Sequence, residues 1–138
     1  DGKANKLSQM IRQNLPAAMQ GLAVVPLFAG YDLRRRLGRL WKFDITGGRY
    51  EEGDFEATGP GGVFAQESIR KSWRAGMNAQ EALDVAVQAL SAAADVDRAT
   101  GGVDLERGIL PIVDVCTQSG IQRASDDEVR ASYERVRR

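Results

Sequence analysis

Apolar residues recur at three- and four-residue spacing near the start of the chain. Leu7, Met10, Ile11, Leu15, Ala18, Met19 and Leu22 fall on one face together with Asn14, which predicts a helix. Pro16 lies inside that face. It removes one ladder hydrogen bond, so the helix should kink or divide near Leu15, and Gly21 is a stop signal. The pattern then changes. Residues 23–32 are apolar on both faces and bounded by glycine, which predicts a strand buried on both sides. Within it, Pro26 needs a bulge or an unpaired side. From Arg39 to Thr58 the period is two: Trp41, Phe43 and Ile45 alternate with Lys42, Asp44 and Thr46. Gly47-Gly48 can supply the positive φ of a tight hairpin turn, and the returning strand runs from Arg49 to about Thr58.

The helical period returns after Gly59-Pro60-Gly61-Gly62. A helix is expected over about 63–73, with Phe64, Ala65, Ser68, Ile69 and Ser72 or Trp73 inward. Asn78 and Glu81 form a capping-box pair that opens a second helix. Its apolar stripe is Leu83, Ala86, Val87, Leu90, Ala93 and Ala94, and its alanines permit close packing. Residues 109–117 predict a strand, with a turn at Ser119-Gly120 into a short partner near Ile121. Ser125 and Glu128 form a second capping box. The helix it starts carries acids in its first turn and arginines at its end, as the helix dipole favours, with Val129, Tyr133 and Val136 inward. Antiparallel strand neighbours with helices in blocks predict a layered α+β fold rather than βαβ alternation. The chain reads as one domain over residues 1–138.

Composition narrows the chemistry. Nineteen basic residues balance nineteen acidic ones, which disfavours a nucleic-acid partner. No apolar run is long enough to span a membrane. The single cysteine, Cys116, fits a reducing, cytoplasmic setting and an inert core thiol. There is no histidine, so Ser-His-Asp triads, Cys-His pairs and imidazole metal sites are all excluded within these residues. Any proton transfer here uses carboxylates, an amine or water.

Four local features carry candidate chemistry. The Gly59–Gly62 run before a helix could face an anion with backbone N–H groups, but it matches neither nucleotide-binding motif and suits a tight strand-to-helix turn better. Asp95, Asp97 and Asp104 crowd one loop without the spacing of a calcium site. Asp97-Arg98-Ala99-Thr100-Gly101-Gly102 combines an acid, a hydroxyl and two glycines. Arg34, Arg35, Arg36 and Arg39 form a basic run in a connection between strands, read as solvated loop or as a phosphate or partner contact. Met10 and Met19 read as core or interface.

Several stretches, in order, resemble the β-subunit family of the actinobacterial-type 20S proteasome. They are Ala17–Leu22 with Pro26-Leu27 and Ala29–Asp32; Gly38-Arg39 through Phe43-Asp44 with Gly47-Gly48 and Glu51-Glu52; Ala57 to Ala65; and Ala92–Asp95 through Thr100-Gly101-Gly102 to Arg107-Gly108-Ile109. The resemblance implies part of the α-β-β-α sandwich of N-terminal nucleophile hydrolases. It also implies threonine-type endopeptidase activity on unfolded polypeptides inside a ring of β and α-type subunits. In that chemistry a processed N-terminal threonine attacks through its Oγ, and its own amine, with a lysine, manages the proton. No cofactor or metal is expected.

The resemblance further implies that Asp97 and Thr100 orient the threonine amine and that Asp32 lies near a substrate channel. The nucleophile and the catalytic lysine have no counterpart in residues 1–138, so the chain is expected to be a C-terminal part of the domain. Pro60 stands where the family usually has serine, which removes a hydroxyl from the supporting shell. A non-catalytic ring subunit and an unrelated α+β binding module are the alternative readings. If part of the sandwich is missing, apolar sheet surface and unpaired strand edges should be exposed.

Overall fold

The computed structural model describes residues 1–138. The chain divides into two compact units, Asp1–Thr58 and Gly59–Arg138. In the first unit, helices α1 (Gly2–Gln13) and α2 (Leu15–Ala18) precede strands β1 (Leu27–Asp32), β2 (Leu37–Phe43) and β3 (Arg49–Glu52). The strands form one antiparallel sheet in the order β1-β2-β3.

The proline-dependent division of the first helix is present. Asn14 ends α1, and Pro16 falls in the first turn of α2, where a missing N–H costs nothing. The sheet buries the face carried by alternate residues of β2. Trp41 and Phe43 pack with Ala4, and Leu7, Ile11 and Phe28 close around them. The rings of Phe28 and Trp41 meet at 5.6 Å between centroids.

Three strand expectations need correction. β1 starts at Leu27, after Pro26, so the proline precedes the ladder instead of interrupting it. β1 is also an edge strand, with Val24 and Val25 exposed before it, and so it is not buried on both sides. The returning strand stops at Glu52, because Gly53-Asp54 favours leaving the ladder.

The β2–β3 turn is longer than a two-residue hairpin loop. Asp44 organises it: Oδ1 accepts from the Thr46 N–H at 2.9 Å, the Thr46 hydroxyl at 2.6 Å and the Gly48 N–H at 2.8 Å, while Oδ2 accepts from Tyr50 at 2.9 Å. Gly47 alone takes the positive φ, at 86°. It also meets α1 directly, since the Ser8 hydroxyl donates to its carbonyl and a Cβ there would lie 2.8 Å from the Ser8 carbonyl oxygen.

Arg39 is the largest departure in this unit. It lies on β2 rather than in the basic loop, and its side chain is only 4% exposed. Glu51 accepts from its Nε at 2.8 Å and from Nη2 at 2.9 Å, and Asp32 accepts from Nη1 at 3.0 Å. Asp1 accepts at 3.1 Å, and the guanidinium stacks over Trp41 at 4.6 Å. Arg39, Trp41 and Phe43 share one strand face, so the same alternation that buries the aromatics buries the arginine.

The second unit holds helices α3 (Gly62–Ser72) and α4 (Ala79–Val96), the antiparallel pair β4 (Asp114–Thr117) and β5 (Gly120–Arg123), and helix α5 (Asp126–Val136). Both expected capping boxes are formed, at Asn78/Glu81 and Ser125/Glu128. Leu83, Val87 and Val129 make the core, with Leu110, Val113, Tyr133 and Val136 against it. The buried hydroxyl of Ser132 donates to Asp84 at 2.6 Å, and Arg135 binds the same carboxylate at 2.8 Å.

The buried side of α4 is Leu83, Val87, Ala89 and Ala93, while Leu90 is 40% exposed. The expected stripe is therefore rotated, because α4 packs on both α3 and α5. On α3, Ala65 is buried and Phe64 is exposed. The strand expected over 109–117 shortens to Asp114–Thr117, with Asp104 and Ile109 forming an isolated bridge upstream. Pro111, without a donor, separates the two. Cys116 is half-buried.

The expected unpaired edges are present, while the most exposed apolar side chains lie mainly outside the strands, with Ile121 of β5 on a sheet. Leu33, Val24, Ile112 and Ile121 are each about 70% exposed or more, and β1, β3, β4 and β5 each present an unpaired edge. No helix is long and apolar enough to cross a membrane.

Two predictions follow from this packing. Phe43→Ala removes a side chain that is 1% exposed, and should lower unfolding free energy by about 3–5 kcal/mol. Met19→Ala, at a side chain 78% exposed, should change it by less than about 0.5 kcal/mol in the same urea titration.

A third prediction concerns pH. The hydroxyl of Thr46, then the Gly48 N–H and Tyr50, hold the Asp44 carboxyl at about 2, below its ordinary 3.8. Its folded-state value is depressed, so its stabilisation is complete above the unfolded value and is lost as pH falls toward about 2. Asp44→Asn should flatten the urea-midpoint profile between about 4 and about 2. An unchanged acid slope would overturn the assignment.

Candidate functional site

The second unit brings together two of the sequence features that carry chemistry, the glycine-rich turn and the Asp97–Gly102 stretch. The turn closes through the Gly62 N–H, which donates to the Gly59 carbonyl at 3.0 Å. Gly59 enters it with φ of 98°. Pro60 therefore stands at the second position of a four-residue turn and Gly61 at the third. Gly61 has φ −85° and ψ 3°, the third-position values of a type I turn. Proline suits the second position because its φ is already set and that N–H is not used. Pro60 thus suits the turn while offering it no hydroxyl.

Asp97 is the C-cap of α4, where its N–H donates to the Ala93 carbonyl at 2.8 Å. A carboxylate at this end of a helix meets the negative end of the dipole, which opposes its charge. Local hydrogen bonds outweigh that. The Thr100 hydroxyl donates to Asp97 Oδ2 at 2.6 Å, and the Ala99 N–H donates to Oδ1 at 3.3 Å. The Thr100 N–H closes the turn on the Asp97 carbonyl at 3.2 Å. These bonds, the Thr100 hydroxyl first, hold the Asp97 carboxyl below its ordinary value against the opposing effect of desolvation.

The two loops touch. A Cβ built on Gly61 would lie 2.6 Å from Thr100 Oγ1, 2.9 Å from Ala93 Cβ and 3.5 Å from Asp97 Oδ2. Bare backbone at residue 61 is thus packed on the Asp97–Thr100 pair. Spacing alone did not reveal this contact. Its only sequence signal is the run of small residues at Gly61, Gly62, Ala65, Ala89 and Ala93, all of them buried.

The pair has a defined chemical character. Asp97, ionised, is an acceptor, and the Thr100 proton is committed to it. The hydroxyl's remaining capacity is therefore as an acceptor too. Such a pair receives N–H donors and is unsuited to an oxyanion.

The remaining candidates are placed otherwise. Asp32 belongs to the first unit. Its Oδ1 accepts from the Arg34 and Arg35 N–H groups, both at 3.0 Å, and its Oδ2 binds Arg39. Those backbone bonds, led by Arg35, lower its carboxyl from the ordinary value. Arg34, Arg35 and Arg36 are exposed on the β1–β2 turn, and Arg36 takes a positive φ of 55°. Asp95, Asp97 and Asp104 are not gathered into a group that could hold a metal ion. Asp95 instead pairs with Arg137 at 3.5 Å.

A family model described as "Proteasome subunit" matches residues 1–106. The chain belongs to the proteasome subunit family. Two curated relatives, each named proteasome subunit beta, align along most of it. The protein of Streptomyces griseus is 55% identical over 128 residues, covering 93% of this chain and 46% of the relative. That of Acidothermus cellulolyticus is 51% identical over 140 aligned positions, covering 99% of this chain and 48% of the relative. The chain spans about half the length of these curated relatives. Residues 1–106 include Asp32, the Gly59–Gly62 turn, Asp97 and Thr100, so every site candidate lies inside the region matched to the proteasome family. The helices and antiparallel strands of the chain agree with the α+β class expected for a fragment of that fold.

The hydrogen bond from Thr100 has a direct test. Thr100→Val keeps the shape and removes the donor, so the Asp97 carboxyl should titrate closer to its ordinary value. Thr100→Ser should keep it depressed. Carboxyl carbon NMR titration reads both, and equal titration in the two variants would refute the role given to the hydroxyl.

Proposed function

We propose that this chain forms part of a proteasome β-type subunit, a threonine-type endopeptidase that degrades unfolded polypeptides in the cytoplasm. In this reading both units belong to one β-type domain. It assembles with other β subunits and with α-type subunits into a ring. The exposed strand edges and apolar side chains are then surfaces covered by the rest of the domain or by neighbouring subunits.

The observation that carries the reading is the acceptor-only pair of Asp97 and Thr100, joined at 2.6 Å inside the region matched to the family. A threonine whose own amine serves as base needs that amine neutral and oriented toward Oγ. Asp97 and Thr100 accept the amine N–H bonds and so aim its lone pair. The attacking threonine and the lysine are supplied from outside residues 1–138. When the threonine Oγ attacks the peptide carbonyl, its proton passes to the amine. The ammonium so formed is stabilised by the Asp97 charge, and the proton then leaves with the departing amine of the peptide.

Asp32 serves the substrate side indirectly. Its carboxylate is occupied by the Arg34 and Arg35 N–H groups and by Arg39, which supports a role in fixing the β1–β2 turn beside the substrate path.

Pro60 favours a second reading, a non-catalytic ring subunit, because the turn offers no hydroxyl to the amine. One experiment separates the two. The complete protein, assembled with its partners, is given a fluorogenic peptide with and without a threonine-directed electrophile. The catalytic reading expects hydrolysis that the electrophile abolishes. Asp97→Asn should lower kcat by about a hundredfold with ring assembly intact. Assembled rings without electrophile-sensitive hydrolysis would establish the non-catalytic reading instead.

A further inference from the structure

We propose that Gly61 is a positioning residue whose missing side chain sets the Thr100 hydroxyl against Asp97. The inference rests on the reading of Asp97 and Thr100 as the amine-orienting pair.

Conformation does not demand glycine at this position. With φ −85° and ψ 3°, residue 61 lies in a region open to L-residues. Space demands it. A Cβ would stand 2.6 Å from Thr100 Oγ1 and 2.9 Å from Ala93 Cβ. Non-bonded carbon contacts settle at about 3.5–4.0 Å.

None of the neighbours can yield freely. Ala93 lies in α4 and has no rotamer to change. Thr100 is β-branched, with few χ1 choices, and its Oγ1 is already bound to Asp97. Residue 61 is itself held from both sides. Its carbonyl accepts from the Ala65 N–H at 3.1 Å as α3 begins, and the Gly59–Gly62 bond closes the turn around it. With residue 61 held by those two bonds, a methyl group there must turn the Thr100 hydroxyl away from Asp97.

Gly59 provides a contrast within the same turn. It requires glycine for its φ of 98°, yet a Cβ there would meet nothing within 4 Å. The two glycines thus have different functions: Gly59 permits the turn, and Gly61 permits the contact.

The test uses the complete β-type protein assembled with its partners. Gly61→Ala, Thr100→Ala and the double variant form a cycle, read as kcat/KM on a fluorogenic peptide. Gly61→Ala alone should lower kcat/KM about tenfold, and in the Thr100→Ala background about twofold or less, because contacting residues couple. An equal factor in both backgrounds would mean that Gly61 serves only to start the helix, and would overturn the proposal.

A crystallographic arm does not depend on activity. The 2.6 Å separation of Thr100 Oγ1 and Asp97 Oδ2 should open in Gly61→Ala beyond hydrogen-bond range, above about 3.5 Å. Retention of the original bond overturns the proposal. An inactive parent particle would defeat the catalytic reading, while this distance still decides the role of Gly61. Should Gly61→Ala fail to assemble, Gly61→Ala with Ala93→Gly opens room on the α4 side only. That variant should assemble with the Asp97–Thr100 bond still broken, and a restored bond would overturn the proposal.

Discussion

Everything chemically distinctive in the second unit depends on a close approach, in which the backbone of Gly61 lies against the Thr100 hydroxyl and the Asp97 carboxylate. The approach is possible because small residues line the contact between α3 and α4. Ala65, Ala89 and Ala93 are all buried, and none has a side chain long enough to hold the helices apart. The larger core residues of α4, Leu83 and Val87, pack instead with Val129 of α5. One helix thus carries two kinds of packing: bulky contacts that stabilise the unit and a lean surface that lets two loops come into contact.

The first unit solves a different problem, the burial of a full charge. A guanidinium removed from water is costly unless its donors are satisfied and its charge is matched. Arg39 meets three carboxylates, from Asp1, Asp32 and Glu51, and lays its planar face on Trp41. Asp32 has a dual position in this arrangement. One carboxylate oxygen binds Arg39, and the other receives the backbone of the turn that carries the exposed arginines. The order of that turn is thereby tied to the buried ion cluster.

What the sequence made legible follows from how local each determinant is. The two capping boxes, the division of the first helix at Pro16 and the turn at Gly59–Gly62 each depend on residues within a few positions of one another, and all are present. Burial was less legible. Leu90 and Phe64 sit at plausible inward positions, yet the pairing of α3, α4 and α5 rotates them outward. Arg39 stands close in sequence to the basic run of the β1–β2 connection. Its alternation with Trp41 and Phe43 was the better guide, since strand period decides which face a residue occupies. At the site, Asp97 and Thr100 were found by resemblance, while the contact at Gly61 required the helix pairing to be known.

Pro60 shows how turn geometry and hydrogen-bonding capacity can be separated. At the second position of a type I turn proline is well suited, since it fixes φ and gives up an N–H that the turn does not use. The loop can therefore keep its shape, and its contact with Thr100 through Gly61, without any side-chain hydroxyl at residue 60. In the proposed reading, an amine bound here would have Asp97 and Thr100 as its acceptors from these loops. Two acceptors can fix the direction of an amine's lone pair while leaving rotation about that direction freer than a third would allow. The depressed carboxyl of Asp97 compensates in one respect, because it keeps the stronger acceptor charged as pH falls below the ordinary carboxylate range. A pair of this kind orients by charge and by the rigidity of its own short hydrogen bond, and the bare backbone at Gly61 is what leaves room for that bond.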